Sequence, residues 1–429
     1  MNRTPDQLTG RPAARPLPPT VDTWLAALAG HGEIGRLLEA PAPLQAERGY
    51  GHTLREICQQ PVTWSETANA LAASPGALTA ALSESGVSCR EGTLVLTGSG
   101  SSYFAAASLA LPLEEALSVP VSAVPAGVLL THGRALPARG RLLLVSLARS
   151  GNSPESRAIV DRTLANAPEA QHLVITCNRA GALATAYDRV PGVRALVLDE
   201  KTDDRSLVMT SSFTNLVLAG QALGRLEALD AYLARSARLA AEALAILESS
   251  ADALARTARS AYRSVVYLGS GCRLATAREA ALKMLEMTSG RVWTLPETYL
   301  GLRHGPMSAV HADTLLVAFL SSSPLARAYE LDLLQELERK GLGARRVVVG
   351  SGVPAEAAPG RDDVVVECGA AGDLADAELV LLDALVGQLL GFFRCLQLGL
   401  RPDAPSDDGV ITRVVDNFRI HDGPSGPQP

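Results

Sequence analysis

Short apolar runs alternate with alanine-rich stretches over most of the chain. The runs are bounded by turn residues, a pattern typical of strands buried on both faces of a parallel sheet. They form two series, at residues 94–98, 141–147, 172–178 and 195–200, and then at 265–271, 314–322, 345–351 and 363–369. The stretches between them, such as 104–117 and 154–165, have helical spacing. This order predicts an α/β protein with doubly wound parallel sheets flanked by helices.

The second series of runs repeats the first. Each opens on a glycine turn, TGSGSS at 97–102 and LGSGCR at 268–273, and a polar strand end follows each turn at a similar distance. The repetition predicts two tandem copies of one domain, over residues 51–245 and 246–429, with helices between 222 and 263. Residues 1–50 are predicted to be a disordered tail rich in Pro and Arg, followed by short helices.

Composition and charge narrow the class of protein. The apolar segment 379–400 predicts a buried helix rather than a membrane span, because polar residues interrupt it. Those residues are Asp383, Gln388, Arg394 and Gln397. The N-terminus lacks the apolar core of a secretory signal, and the six cysteines are scattered without a CxxC pair. We therefore expect a cytoplasmic protein with reduced thiols and no metal site, and the net charge of −6 disfavours nucleic-acid binding.

Polar loops follow two of the predicted strands. Ligands of parallel α/β sheets bind beyond the carboxyl ends of strands, so both loops are candidate binding sites. The first, GSGSS at 98–102, also fits an ordinary tight turn. The second, ARSGNSPES at 148–156, places hydroxyl groups at the start of a predicted helix, where N–H groups and the helix dipole favour an anion. The side chains expected to bind a phosphate are Ser101, Ser102, Ser150, Asn152 and Ser153.

Four further residues are expected at the same pocket. Two belong to the loops just described, and two belong to the hydroxyl-rich segment MTSSFT at 209–214, which follows the fourth predicted strand. The four residues are Gly100, Arg149, Thr210 and Ser211.

Charged residues on one predicted helix of the second series form another candidate group. Glu279, Lys283 and Glu286 are spaced so that they share one face of that helix. Such a face is often a solvated stripe, but the rest of this helix is apolar, which favours a pocket. His304 follows in RHGP, where a Gly-Pro turn is a rigid mount for a proton-transfer group.

These motifs together resemble the double sugar isomerase (SIS) proteins, and within them the AgaS family of galactosamine-6-phosphate deaminases and tagatose-6-phosphate isomerases. The resemblance rests on SLARSGNSPES, ITCNRAGAL, REAALKMLE, RHGPMS and PDAPSDDGVITRVV, and it extends from about residue 51 to residue 421. It implies two tandem SIS domains that convert galactosamine 6-phosphate into tagatose 6-phosphate and ammonia. This chemistry requires neither a metal nor an organic cofactor.

The related isomerase domain of glucosamine-6-phosphate synthase implies a role for each matching residue. The residues implied to bind the sugar phosphate are Ser102, Ser150 and Ser153. By the same resemblance, Glu286 is the base that moves a proton between C2 and C1, and Lys283 lies near the anionic substrate. His304 assists ring opening from the partner subunit, which implies a homodimer with shared active sites.

Other functions use the same residues. A non-deaminating ketose/aldose isomerase or a fructosamine-phosphate deglycase would need the same base and the same phosphate site. A sugar-phosphate sensor without catalytic activity is an alternative of a different class. The presence of both Glu286 and His304 favours an enzyme.

Overall fold

Two parallel sheets of five strands each organise the protein. The computed structural model describes residues 18–87, 91–133, 136, 140–370, 372–406, 409–415 and 419–421. The first sheet has the order β2-β1-β3-β4-β5. Its strands are β1 (Thr93–Gly98), β2 (Val121–Pro125), β3 (Leu142–Ala148), β4 (Gln171–Thr176) and β5 (Val193–Val197). We call the part of the chain that carries it the first half.

The second half repeats this topology. Its strands are β6 (Ser264–Leu268), β7 (Trp293–Glu297), β8 (Thr314–Phe319), β9 (Arg345–Gly350) and β10 (Val364–Glu367). Read from β7, the order is β7-β6-β8-β9-β10, which matches that of the first sheet strand for strand. Two copies of one doubly wound parallel sheet are therefore confirmed. The exact division into 51–245 and 246–429 stays a prediction.

Two strands, β2 and β7, were not predicted from the sequence. Both lie at an edge of their sheet, and both are only partly buried. Each also contains a proline, Pro125 or Pro296, which lacks the N–H group that a central strand needs. Edge strands of this kind lack the continuous apolar run by which the other eight were recognised.

Helices surround both sheets. Those before β1 are α1 (Val21–Leu28), α2 (Gly32–Leu38), α3 (Ala42–Arg48), α4 (Gly51–Cys58), α5 (Gln60–Ala73) and α6 (Gly76–Ser85). The next six are α7 (Ser101–Leu117), α8 (Ala126–Thr131), α9 (Pro154–Asn166), α10 (Ala182–Thr185), α11 (Ser211–Gln221) and α12 (Leu229–Ala245). The last five are α13 (Ala251–Arg259), α14 (Arg273–Met287), α15 (Tyr299–Leu302), α16 (Pro324–Arg339) and α17 (Asp376–Gln397). The predicted short helices before residue 50 are present, whereas most of the predicted tail, residues 1–17, lies outside the described residues.

The helix α17 fills the space between the two halves. By length and composition it could cross a membrane, but 89% of its most apolar stretch is buried inside the protein, so the predicted buried helix is confirmed. Its Gln388 accepts a hydrogen bond from Gln60 and donates one to the carbonyl of Thr210, both in the first half. Its Asp383 pairs with the fully buried guanidinium of Arg273 on α14. These contacts tie α14 to the first half, which fixes the site described below.

Buried thiols were predicted, and five of the six cysteines confirm this. Cys58, Cys177, Cys272, Cys368 and Cys395 are buried thiols. Burial raises the pKa of each thiol that has a resolved shift, and the pKa of Cys272 reaches about 12. The sixth, Cys89, lies outside the described residues.

His172 makes the stability of the first sheet depend on pH. It lies on β4, is 1% exposed, and neither ring nitrogen has a hydrogen-bond partner among the described residues. Burial lowers its pKa to about 4, whereas an unfolded histidine titrates near 6.5. Between these values the unfolded chain binds a proton that the folded chain does not. The free energy of unfolding therefore falls as the pH falls through this range.

We expect this group to remove about 2 kcal/mol of stability between pH 7 and pH 5. Urea denaturation at both values should show the loss in the unmodified protein. The change should be much smaller in His172→Leu, which has no group to titrate. His311→Gln, which removes an exposed histidine, serves as the control and should keep the full pH dependence. Equal pH dependence in His172→Leu and the unmodified protein would contradict the assignment.

Candidate active site

A cavity of about 460 Å³ opens at the carboxyl ends of β1 and β3 in the first sheet. Its walls come from the loop after β1, the loop after β3, α14 of the second half, and a C-terminal segment at residues 409–415 that we call the tail segment. The predicted site residues that line it are Gly100, Ser101, Ser102, Arg149, Ser150, Ser153, Lys283 and Glu286. The structure thus brings together both polar loops and the charged helix, which are far apart in the chain.

The loop after β3, residues 149–153, has the features of an anion site. Gly151 has φ of +65°, a value that favours glycine, and it turns the chain towards α9. Ser153 precedes the first turn of α9, and its hydroxyl makes no capping bond to that helix. The Ser150 hydroxyl accepts a bond from Asn152 N at 3.3 Å and keeps its own proton for a ligand. The positive end of the α9 dipole and these donors favour a phosphate group here.

The loop after β1 supplies two more hydroxyls through a tight turn. A Cβ atom at Gly98 would lie 2.6 Å from the backbone of Ser102, so only glycine fits there. Gly100, with φ of +55°, then leads into α7, which begins at Ser101. The Ser102 hydroxyl contacts the sulfur of Met209 at 3.7 Å. Both serines are buried, so their hydroxyls act in the cavity rather than in bulk solvent.

Lys283 connects the two halves at the cavity. Its Nζ donates to the Ser101 hydroxyl at 3.1 Å, and it lies 2.5 Å from Glu286 Oε2 and 3.4 Å from Glu279 Oε1. We call Glu279, Lys283 and Glu286 the charged triad. The side chain of Glu286 is 22% exposed, whereas those of Lys283 and Glu279 are almost completely buried. Glu286 is therefore the carboxylate of the triad that faces the cavity.

Burial and charge act against each other within the triad. Burial raises the pKa of Glu279 to about 7, although the nearby ammonium of Lys283 opposes this. For Lys283, burial disfavours the ammonium, but the charges of Glu279 and Glu286 outweigh it and raise the pKa. Lys283 therefore stays charged at neutral pH, beside a carboxylate that is open to a ligand.

Arg149 lines the cavity, and its guanidinium donates hydrogen bonds to backbone carbonyls. Its guanidinium donates to the carbonyls of Ser206, Leu207 and Arg413. Its predicted contact with substrate stays a prediction, and the bond to the Arg413 carbonyl attaches the tail segment beside the cavity. Arg413 completes this attachment through an ion pair to Asp203 at 2.5 Å and a hydrogen bond to the Asp204 carbonyl.

Three predicted residues of the first half do not line the cavity. Asn152 is exposed, and its Oδ1 accepts a hydrogen bond from Ala182 N at 2.9 Å. Thr210 and Ser211 are wholly buried, and both donate to the carboxylate of Asp204, through the Thr210 N–H and the Ser211 hydroxyl. This hydroxyl cluster fixes the start of α11, and its neighbour Met209 is the residue that reaches the cavity.

His304 also lies outside the cavity lining of this chain. It is exposed, in the turn that follows α15, and its backbone N–H donates to the Gly301 carbonyl. The predicted Gly-Pro mount is present, because Gly305 has φ of +132° and a short 3-10 helix, Pro306–Ala309, follows.

Several cavity residues were missed by the sequence analysis. Glu155 lines the cavity, and its Oε1 accepts a hydrogen bond from Ser99. The tail segment contributes Val410, Ile411, Thr412, Arg413 and Val415. Proximity in sequence gives no sign of this segment, because it reaches the cavity from the far end of the chain. Glu279 was recognised only as a member of a shared helix face. Among the described residues, no group of His, Cys, Asp and Glu could hold a metal ion.

In the corresponding loop of the second half, carboxylates of the same chain accept the hydrogen bonds that a bound anion would otherwise accept. This loop, residues 321–323, follows β8 as the loop 149–153 follows β3. Asp376 accepts hydrogen bonds from the Ser321 hydroxyl at 2.5 Å and from Ser322 N at 2.6 Å. Glu330 accepts one from Ser321 N at 2.7 Å. The donors that are open in the first half are therefore already used in the second.

Comparison with known proteins places the chain in a family. The SIS domain family model matches residues 88–226. The chain is 38% identical to the AgaS protein of Streptomyces coelicolor over 89% of this chain and 98% of that protein. It is 34% identical to the D-galactosamine-6-phosphate deaminase AgaS of Escherichia coli over 76% of this chain and 85% of that protein. Among solved structures, the tagatose-6-phosphate ketose/aldose isomerase of Escherichia coli matches with a TM-score of 0.77 and 33% identity, over 84% of this chain and 96% of that one. The chain therefore belongs to the AgaS family of SIS-domain proteins.

Proposed function

We propose that this protein is a deaminating aldose–ketose isomerase that acts on a 2-amino-2-deoxy sugar 6-phosphate. The preferred substrate is galactosamine 6-phosphate, which would give tagatose 6-phosphate and ammonia. One observation carries the proposal: the open donors of the loop 149–153 and the partly exposed carboxylate of Glu286 line the same cavity of about 460 Å³. The names of the E. coli relatives support this substrate class.

The phosphate anchors the substrate in this proposal. Ser150, Ser153 and Ser102 donate hydrogen bonds to the phosphate oxygens, and the α9 dipole stabilises their charge. The phosphate takes no part in the bond changes, so its binding energy serves to orient the reacting carbons. C1 and C2 of the open-chain sugar are then directed towards α14.

Glu286 moves the proton. In the open-chain aldehyde the C2–H bond is acidified by the adjacent carbonyl, and Glu286 removes that proton to give an enolamine. The same carboxyl group returns the proton to C1, while a proton passes from the amino nitrogen to the C1 oxygen, which produces an imine at C2 and a hydroxyl group at C1. Water adds to the imine carbon and ammonia leaves, which gives the ketose. Lys283 lies beside Glu286 and stabilises the negative charge that develops on the C1 oxygen.

His304 acts from a second copy of the chain in this proposal. Within one chain it is exposed and outside the cavity. A homodimer that presents the partner's His304 at the cavity supplies the proton relay that opens the sugar ring. We further propose that this dimer works in the cytoplasm, where sugar phosphates are metabolised and cysteines stay reduced.

The function itself is tested by a coupled ammonia assay with galactosamine 6-phosphate, glucosamine 6-phosphate and a fructosamine phosphate. We expect ammonia and a ketose phosphate from galactosamine 6-phosphate. Interconversion of tagatose 6-phosphate, which has no amino group, with its aldose isomer would identify a non-deaminating isomerase if none of the amino sugars gave ammonia. A sugar phosphate that binds but stays unchanged after long incubation would identify the protein as a sensor and overturn the proposal.

Glu286→Gln should abolish turnover while leaving binding nearly intact. The amide cannot accept the C2 proton, so we expect kcat to fall by about 10² to 10⁴, with KM for the sugar phosphate little changed. Glu115→Gln removes an exposed carboxylate of α7 and is the matched control. Near-native kcat in Glu286→Gln would show that the base is another group.

Ser150→Ala and Ser153→Ala should weaken binding of the phosphate. Each variant loses one hydrogen bond to a charged group, so we expect KM to rise about 10- to 100-fold with a smaller effect on kcat. Ser323→Ala is the matched control, because Ser323 precedes Pro324 in the second half as Ser153 precedes Pro154 in the first. An unchanged KM in both variants would show that the phosphate binds elsewhere in the protein.

Mixed dimers test whether His304 acts in the cavity of its own chain or in that of the partner subunit. Glu286→Gln and His304→Ala should each be inactive alone. If His304 acts in the partner's cavity, random subunit exchange gives mixed dimers with one intact site, and about a quarter of the normal activity should return. No recovery after verified exchange would show that both groups act within one chain or that His304 is not required.

A further inference from the structure

The proposed mechanism needs His304 in a defined orientation, yet the turn that carries it lies at the surface. We call residues 303–307 the His304 turn. The helix before it, α15, is held by Tyr299 and Leu302, which are buried in a core cluster that also contains side chains of α16. Beyond α15 the chain leaves this cluster, apart from a partial contact of Met307, and His304 itself is exposed. Apolar packing thus fixes α15 more firmly than the turn that follows it.

One carboxylate, that of Glu336 on α16, is linked to both sides of the turn. Its Oε2 accepts a hydrogen bond from Arg303 Nε at 2.8 Å, and Arg303 directly precedes His304. Its Oε1 accepts a hydrogen bond from Lys340 Nζ at 2.7 Å, and the same Nζ lies 3.3 Å from the sulfur of Met307. Glu336 therefore contacts the residue before His304 directly, and it contacts a residue after His304 through Lys340.

The backbone of the turn has few conformations open to it. The His304 N–H donates to the Gly301 carbonyl at 3.0 Å. Gly305 has φ of +132°, and Pro306 then begins a short 3-10 helix with φ fixed by its ring. Because the backbone is already restricted, a small number of side-chain contacts is enough to fix how the turn lies against α16.

The ion pairs of Glu336 are partly shielded from solvent. The side chains of Arg303 and Glu336 are 28% and 24% exposed. Hydrogen bonds from Lys340 and Arg303 hold the pKa of Glu336 below its usual value, so the carboxylate stays charged at neutral pH. A single surface ion pair contributes little to the stability of a whole protein. Two cations on one carboxylate nevertheless limit the motion of the segment between them, and a catalytic group misplaced by about 1 Å can cost about 10² in rate.

We propose that Glu336 is a positioning residue that fixes the His304 turn, so that His304 reaches the partner's cavity in the orientation that ring opening requires. The inference rests on the proposed role of His304. Glu336 does not line the cavity, and it acts only through Arg303 and Lys340.

Hydrogen exchange tests these contacts without any substrate. In Glu336→Ala, which keeps a good helix former in α16, the backbone amides of the His304 turn should exchange about five- to tenfold faster. Mass spectrometry of peptides that cover residues 299–310 measures the rates. Glu338→Ala is the matched control, because Glu338 is an exposed glutamate of the same helix that pairs with Arg346 at 2.7 Å. Equal exchange rates in Glu336→Ala and the unmodified protein would overturn the inference, whatever the protein catalyses.

Kinetics should show a loss in kcat rather than a rise in KM. Ring opening follows binding, and the loop 149–153 is untouched, so we expect kcat of Glu336→Ala to fall about five- to twentyfold with KM little changed. Glu336→Gln keeps one acceptor oxygen without the charge, so its kcat should lie between that of Glu336→Ala and that of the unmodified protein. Glu338→Ala should keep both constants. A rise in KM with kcat unchanged would contradict a role through His304.

Mixed dimers show through which chain Glu336 acts. When Glu286→Gln and His304→Ala subunits are combined, the intact site takes its base from the His304→Ala chain and its histidine from the Glu286→Gln chain. Adding Glu336→Ala to the Glu286→Gln chain should lower the recovered activity about five- to twentyfold, because this chain supplies the histidine. Adding it to the His304→Ala chain should leave the recovered activity unchanged. Equal losses in both placements would show that Glu336 is only structural and overturn the inference.

The two kinds of measurement separate this inference from the proposed function. If no amino sugar phosphate is converted, but hydrogen exchange of the His304 turn increases in Glu336→Ala, the proposed function fails and the fixation of the turn by Glu336 stands. If mixed dimers recover activity equally in both placements of Glu336→Ala, the proposed function stands and the inference fails.

Discussion

A single buried ammonium links the two halves of the protein at the cavity. Lys283 belongs to α14 of the second half, yet it donates to Ser101 of the first half and lies between Glu279 and Glu286. Without this cation, two carboxylates on one helix face would repel each other in a poorly solvated space. With it, a proton-accepting carboxylate can be held against a phosphate loop from another sheet. The geometry of the site therefore depends on how firmly α14 is attached to the first half.

That attachment comes from α17, which lies between the halves. Gly387 and Gly391 let it approach α14 closely, and Asp383 pairs with Arg273 at the start of the same helix. Gln388 continues the connection to the backbone of Thr210 at the start of α11. The segment that looks most like a membrane span is therefore the part that holds the site together. Two of its polar interruptions, Asp383 and Gln388, make these contacts.

The sequence predicted the repeated sheets and the site loops because both depend on local patterns. Buried strands show as apolar runs, and strand ends with glycine and hydroxyl groups mark the binding edge of a parallel sheet. The sequence could not show that Arg149 donates a hydrogen bond to the distant Arg413 carbonyl. Nor could it show that the N–H of Thr210 donates to the carboxylate of Asp204. Those outcomes depend on contacts between remote segments. The complete burial of Glu279 was hidden for the same reason, since α14 packs against α17, which lies about a hundred residues further along the chain.

The two corresponding loops of this duplicated fold, 149–153 and 321–323, differ in whether their donors are open, and Asp376 explains the difference. This residue begins α17, which follows β10 as α11 follows β5, and the corresponding helix of the first half begins at Ser211. A serine is too short and carries no charge, so the loop 149–153 keeps its donors for a ligand. Asp376 instead reaches the loop 321–323 and satisfies a hydroxyl and an N–H there with the same two-oxygen geometry that a phosphate would use. One helix start thus closes the second loop to anions, while the second half contributes its charged helix to the cavity of the first.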